Sequence, residues 1–90
     1  MLFVVDESSV KEVREYWKDQ MPIRAMEECG ELIQAISKSE RDRTSDEYYD
    51  NLKKEMADVI ISIAALCSRY HIDHNYINDA IDEKLNRRYE

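Results

Sequence analysis

Turn-forming residues are almost missing from this chain: 90 residues contain one glycine and one proline. With Ala, Leu, Glu, Lys, Arg and Met plentiful instead, helices joined by short loops are expected. Cysteine is scarce as well. Cys29 and Cys67 both fall inside predicted helices at semi-buried positions, so two reduced thiols of a cytoplasmic protein are expected rather than a disulfide or a metal pair. No apolar run reaches the ~18 residues that span a bilayer. The segment Leu2-Phe3-Val4-Val5 is too short for a signal-peptide core and lacks a basic leader. Basic residues are outnumbered, 13 against 20 acidic, for a net charge of −7. That balance argues against nucleic acid or an anionic membrane as a partner. There is no internal repeat, linker or low-complexity tract, and residues 1–90 make one small domain.

Four helices are predicted. Ser9 and Glu12 have the spacing of a capping box, so the first helix should start after Ser8-Ser9 and run to about Asp19. Its apolar residues are Val10, Val13, Tyr16 and Trp17. Pro22 suits the first turn of a second helix that continues to about Ser39. The charged stretch Ser39 to Asp46 reads as a loop. Thr44 and Glu47 are placed to cap a third helix ending near Tyr70. Asp73 is the expected N-cap of a fourth, ending near Arg88.

The third helix is apolar nearly all round. Tyr49, Leu52, Met56, Val59, Ile60, Ile63, Leu66, Cys67 and Tyr70 form one wide face, and Ile61, Ala64 and Ala65 cover most of the other side. Such a helix is buried on both sides, and the other helices of one small chain do not easily wrap it. An all-α four-helix bundle completed by oligomerisation, as a homodimer or homotetramer, is therefore expected. On the fourth helix a stripe through Tyr76, Ile77, Ala80 and Ile81 continues by helical spacing into Lys84 and Arg88. Cations in line with a core-facing stripe either snorkel to solvent and favour the helix C-terminus, or hold phosphate beside an acidic site.

The acidic site is the main functional signal. Glu28 and Glu31, and again Glu55 and Asp58, are three residues apart, which places each pair on one helix face with Cβ atoms about 5–6 Å apart. Two carboxylates about 4 Å apart repel by ~1 kcal/mol in water and ~4 kcal/mol at an effective dielectric near 20. Solvated surface acids are the plain alternative in a chain with 20 Asp and Glu. Both pairs, however, run directly into apolar helix: Leu32, Ile33, Ala35 and Ile36 follow the first, and Val59 to Cys67 the second with only Ser62 polar. Acids so placed are expensive unless paired or bound to metal. Four hard oxygen ligands on two packed helices suit Mg²⁺, with Mn²⁺ also acceptable.

With these residues in view, the chain resembles the MazG-like all-α nucleoside triphosphate pyrophosphohydrolases. Their signature is E-E-x-x-E on one helix and E-x-x-D on the next. Here it reads Glu27-Glu28-Cys29-Gly30-Glu31 and Glu55-Met56-Ala57-Asp58. Ala57-Asp58-Val59-Ile60, the break at His71-Ile72-Asp73 and the final Glu83-Lys84-Leu85 with Arg87-Arg88 are also similar, so the likeness covers roughly Met21 to Tyr89. The resemblance implies Mg²⁺ ligands at Glu28, Glu31, Glu55 and Asp58, with Glu27 as the first acid of the doublet. It implies cleavage of nucleoside triphosphates between the α- and β-phosphates. It also places Lys84, Arg87 and Arg88 where members carry phosphate-binding cations. One departure stands out: many members have an Asn a full turn or more beyond the lysine, whereas Asn86 is two residues on and faces away from Lys84.

From these residues, Glu27 is expected to position or deprotonate the attacking water, and Lys84 and Arg88 to offset triphosphate charge. Trp17 or Tyr16 would stack the base, although aromatics at helical spacing also serve as core. Rivals are a phosphoribosyl-ATP or dUTP pyrophosphohydrolase with the same cage, and a non-catalytic helical interaction module. A carboxylate di-iron bundle uses Glu-x-x-His motifs, and neither His71 nor His74 follows a Glu at that spacing.

Overall fold

The computed structural model describes residue 3 and residues 5–88, the side chain of Arg88 excepted. The chain is all-α. Helix α1 (Glu7–Trp17) leads through a 3-10 turn (Lys18–Gln20) into α2 (Met21–Arg41), followed by α3 (Asp46–Arg69) and α4 (His74–Arg88). No helix among the described residues is long and apolar enough to cross a membrane.

The long helices α2 and α3 form the body. A four-residue connection, 42–45, turns the chain back on itself so that they pack antiparallel as a helical hairpin. Small side chains on the buried sides (Ala25, Ala35, Ser62, Ala64, Ala65 and Cys67) leave room for close approach between helices. Helix α1 lies mainly against α3. Its Val10 meets Met21, Ala64 and Ala65, with Val13, Trp17 and Leu66 packed around them. Arg14 ties the two helices by donating from Nη1 to Ser68 Oγ at 2.9 Å.

Local chemistry sets the helix ends, in two cases one or more residues from expectation. Asp6, not Ser9, caps α1. Its Oδ1 accepts from the Ser8 amide at 3.3 Å, while the hydroxyls of Ser8 and Ser9 donate to Oδ2 at 2.9 and 3.1 Å. These bonds, the Ser8 hydroxyl's first, hold the Asp6 carboxyl below its usual range. Ser45, not Thr44, caps α3, its Oγ accepting from the Tyr48 amide at 3.2 Å. Thr44 is instead held in a turn by Asp42, which accepts from the Thr44 amide at 3.1 Å and from Oγ1 at 2.6 Å. Pro22 does lie in the first turn of α2, and Asp73 does accept from the Asn75 amide at 2.8 Å at the start of α4.

At the other end of α3 the backbone closes in a Schellman pattern. The Ile72 amide bonds Cys67 O at 2.8 Å and the His71 amide bonds Ser68 O at 3.4 Å. This geometry needs a left-handed residue, usually glycine, and His71 supplies it with φ 57°. Lys18 is the second such position, φ 50° and ψ −124°, the shape glycine takes at the first central position of a type II′ turn.

Three expectations about burial are corrected. Cys29 is exposed, while Cys67 is buried, and both are free thiols. The apolar stripe of α2 is wider than the seam it buries, and Cys29 falls outside that seam. The stripe of α4 does not face a core within its own chain. Helix α4 makes no extended contact with the other helices, and its described residues are exposed apart from half-buried Ile77. Helix α3, expected to be buried on both sides, is covered by α2 and α1 but leaves Tyr49, Met56, Ile63 and Tyr70 open.

Candidate active site

The α2–α3 hairpin brings the two acidic segments together. Glu28 and Glu31 lie one turn apart on α2, and antiparallel packing sets Glu55 of α3 against them. One carboxylate oxygen from each of Glu28, Glu31 and Glu55 falls within 4.8 Å of the others. Glu28 and Glu55 are half-buried and Glu31 is exposed. Asp58, exposed and one turn beyond Glu55, stands outside this trio, yet its charge acts on both Glu28 and Glu55.

The electrostatics are those of crowded, partly desolvated carboxylates. Burial pushes the Glu28 carboxyl up, and repulsion from Glu31, Asp58, Glu55 and Glu27 adds to it. Burial is also the first cause for Glu55, followed by the charge of Glu31, a hydrogen bond shared with the Glu31 carboxyl, and the charge of Asp58. Among the described residues, Glu28 Oε2 and Glu55 Oε2 are buried without a hydrogen-bond partner. An unpaired buried carboxylate oxygen is costly, and the two residues that carry one both belong to the Glu28, Glu31 and Glu55 cluster, whose oxygen donors are of the kind a divalent cation takes. Gly30 lies between Glu28 and Glu31, and a Cβ there would meet nothing within 4 Å, so helix packing does not require a glycine.

The remaining expected site residues are placed differently. Glu27 is exposed and its Oε2 accepts from Arg24 Nη1 at 3.0 Å. The guanidinium of Arg24 also lies over the Trp17 ring, 4.0 Å from its centroid. Trp17 is half-buried against the α1 core, and Tyr16 meets its ring edge-on at 4.7 Å. Tyr16 itself is 77 % exposed. Arg24 is thus a bridge between Glu27 and Trp17 that the motif did not reveal. Its only trace in the sequence is the i,i+3 spacing to Glu27. On α4, Lys84 is exposed, and Arg87 is ion-paired to Glu83 at 2.8 Å. The Arg88 side chain lies outside the described residues. Within one chain, then, the structure gathers Glu28, Glu31 and Glu55 with Asp58 close by, and leaves Lys84 and Arg87 on a helix that makes no extended contact with α2 or α3.

Comparison with known proteins identifies the family. Residues 18–90 match the family model described as the MazG nucleotide pyrophosphohydrolase domain. No curated protein and no solved structure gives a significant match. The family acts on nucleoside triphosphates and is generally dependent on divalent metal, as the acidic cluster would require. The match takes in α2, α3 and α4, including both acidic segments, and on that basis the chain belongs to the MazG nucleotide pyrophosphohydrolase family.

Proposed function

We propose that this protein is a Mg²⁺-dependent nucleoside triphosphate pyrophosphohydrolase, which cleaves between the α- and β-phosphates to a monophosphate and pyrophosphate. The observation that carries the reading is the convergence of Glu28, Glu31 and Glu55, two of them with a buried, unpartnered oxygen, in a member of this family. Oxygen donors with no cysteine or histidine among them favour Mg²⁺ or Mn²⁺, and Glu28, Glu31, Glu55 and Asp58 would hold the ion. When bound, such an ion neutralises charge on phosphate oxygens and makes its bound water a better nucleophile.

The chain's own residues supply the rest. Water forms the new P–O bond, the bridging P–O bond breaks, and the proton passes to Glu27, whose ion pair with Arg24 keeps that carboxylate in place beforehand. Lys84, Arg87 and Arg88 offset the charge of the triphosphate. Because α4 stands off the hairpin, this role requires α4 to fold onto its own carboxylates or to be supplied by a neighbouring copy. Trp17 offers a stacking surface for the base once Arg24 moves from its face. A net charge of −7 speaks against nucleic acid or membrane as partners. Free thiols at Cys29 and Cys67 fit a cytoplasmic location. A homodimer or homotetramer fits the open apolar faces of α2 and α3.

A panel of nucleoside triphosphates, with dUTP and phosphoribosyl-ATP among them, tests the reading. With Mg²⁺ the expected products are a monophosphate and pyrophosphate; with a chelator, none. Diphosphate and orthophosphate would refute the cleavage position. Absence of pyrophosphate from every substrate, with Mg²⁺ or Mn²⁺, would refute the enzyme and leave a helical interaction module.

A further inference from the structure

Arg24 serves two partners with one guanidinium. Its Nη1 donates to Glu27 Oε2 at 3.0 Å, and its Cζ lies 4.0 Å from the centroid of the Trp17 ring. An i,i+3 ion pair that is partly exposed, as this one is, orients its carboxylate little when left to itself, because both side chains sample several rotamers in water. The ring changes that. A planar guanidinium drawn onto an aromatic face has fewer places to go, and this face does not move freely. Trp17 packs against the core of Val10, Met21, Ala64 and Ala65, and the Tyr16 ring meets it edge-on. Arg24 is itself half-buried.

The backbone explains how the end of one helix reaches an acid on another. Trp17 is the last residue of α1, and the left-handed Lys18 with its 3-10 turn leads the chain into α2. Arg24 stands at the end of the first turn of α2, and Glu27 is one turn further on. Glu27 lies beside Glu31 at i,i+4 spacing and next in the chain to Glu28, and these two belong to the carboxylate cluster. A continuous series of contacts thus runs from the α1 core to the edge of that cluster. Trp17 falls just outside the residues 18–90 that match the family, so the support comes from a part of the chain that the match does not take in.

We propose that Trp17 and Arg24 are positioning residues: the Trp17 ring pins Arg24, and Arg24 pins Glu27 at the edge of the carboxylate cluster. In this role neither touches the reacting atoms. The ring face that Arg24 covers is closed to a base for as long as Glu27 is held. The effect on rate rests on the hydrolase reading, with Glu27 taking the proton; the contacts themselves need neither metal nor substrate.

Trp17 is the one tryptophan of the chain, so its fluorescence reads the contacts without turnover. In chelator, Arg24→Ala should shift Trp17 emission, and Glu27→Gln should shift it in the same direction by loosening Arg24. Added to Arg24→Ala, Glu27→Gln should change nothing further. Emission indifferent to Arg24→Ala, or a Glu27→Gln response that is the same with and without Arg24, would overturn the proposal. Steady-state kinetics on nucleoside triphosphates with Mg²⁺ read the consequence. Arg24→Ala should lower kcat about tenfold or more, as a misplaced catalytic group does, with KM within about twofold of the parent. Arg24→Lys, which keeps the charge but not the planar fork, should recover part of the loss. Trp17→Leu should also lower kcat, and combined with Arg24→Ala it should be no slower than Arg24→Ala alone. If Trp17→Leu does not fold, Trp17→Phe replaces it with a smaller loss, since phenylalanine offers a weaker face for a cation. Losses that multiply, or a rise in KM from the Trp17 variant that persists without Arg24, would put the ring under the base and overturn the proposal. A parent that releases no pyrophosphate fails the hydrolase reading instead, and the emission series still decides whether Trp17 and Arg24 hold Glu27.

Discussion

Glu28 and Glu55 concentrate the tension in this molecule. Both carboxyls are pushed above their ordinary value, first by burial and then by neighbouring acids. The folded state therefore holds these protons to higher pH than the unfolded chain does. Their contribution to stability is fully present below the unfolded value, near 4.5, and is lost as pH rises through the raised folded value. Without divalent metal, Glu28→Gln should thus match the parent in thermal stability near pH 4 and exceed it at neutral pH. Thermal melts across that range in a chelator would check this, and added Mg²⁺ should close the gap at neutral pH by favouring the parent. Gly30 gives a second test. It sits in mid-helix with open space where a Cβ would go, so Gly30→Ala should raise stability by about 0.5–1 kcal/mol, read as a higher urea midpoint with unchanged slope. The acids themselves were legible in the sequence, because i,i+3 spacing on helices is enough to pair them. Arg24 was not, because its position over Trp17 depends on how the 3-10 turn joins α1 to α2.

At the scale of helices, periodicity and capping chemistry located all four, and their ends are where the reading slipped. Ser9 and Glu12 have capping-box spacing, but an aspartate three residues earlier accepts from the Ser8 amide and both serine hydroxyls and takes the cap. Thr44 has the same spacing to Glu47, yet Asp42 engages it first and leaves the cap to Ser45. Local competition among short polar side chains decides such cases, and spacing does not rank the competitors. The end of α3 carries a testable strain. A left-handed histidine at His71 costs more than glycine there, so His71→Gly should stabilise the protein by about 0.5–1 kcal/mol after glycine's greater unfolded entropy is set against the gain. A lower urea midpoint in that variant would show that the histidine side chain contributes something the Schellman geometry does not require.

Viewed whole, the single chain is spread rather than closed. Its radius of gyration is 15.0 Å, against about 12 Å for a compact domain of this length, and α4 makes no extended contact with the other helices. A stripe running through Tyr76, Ile77 and Ile81 reads as core-facing in the sequence, but the surface that would cover it is absent from one chain, where Tyr76 is 71 % exposed. Periodicity reports that a face wants burial, and it cannot say which molecule provides it. The assignment of Lys84 to phosphate depends on α4 finding that surface. If it does, Lys84→Ala should weaken substrate binding or slow cleavage by the ~1.5–3 kcal/mol of a hydrogen bond to a charged group, roughly tenfold or more. Kinetics within about twofold of the parent, across several triphosphates, would return Lys84 to a solvent-facing role. The central claim is that the carboxylates of α2 and α3 together make a metal-dependent pyrophosphohydrolase. Its most direct test is pyrophosphate release by the parent and by Glu55→Gln, side by side in saturating Mg²⁺. The account predicts turnover by the parent and none by a folded Glu55→Gln that is no less stable in chelator; equal rates from the two would contradict it.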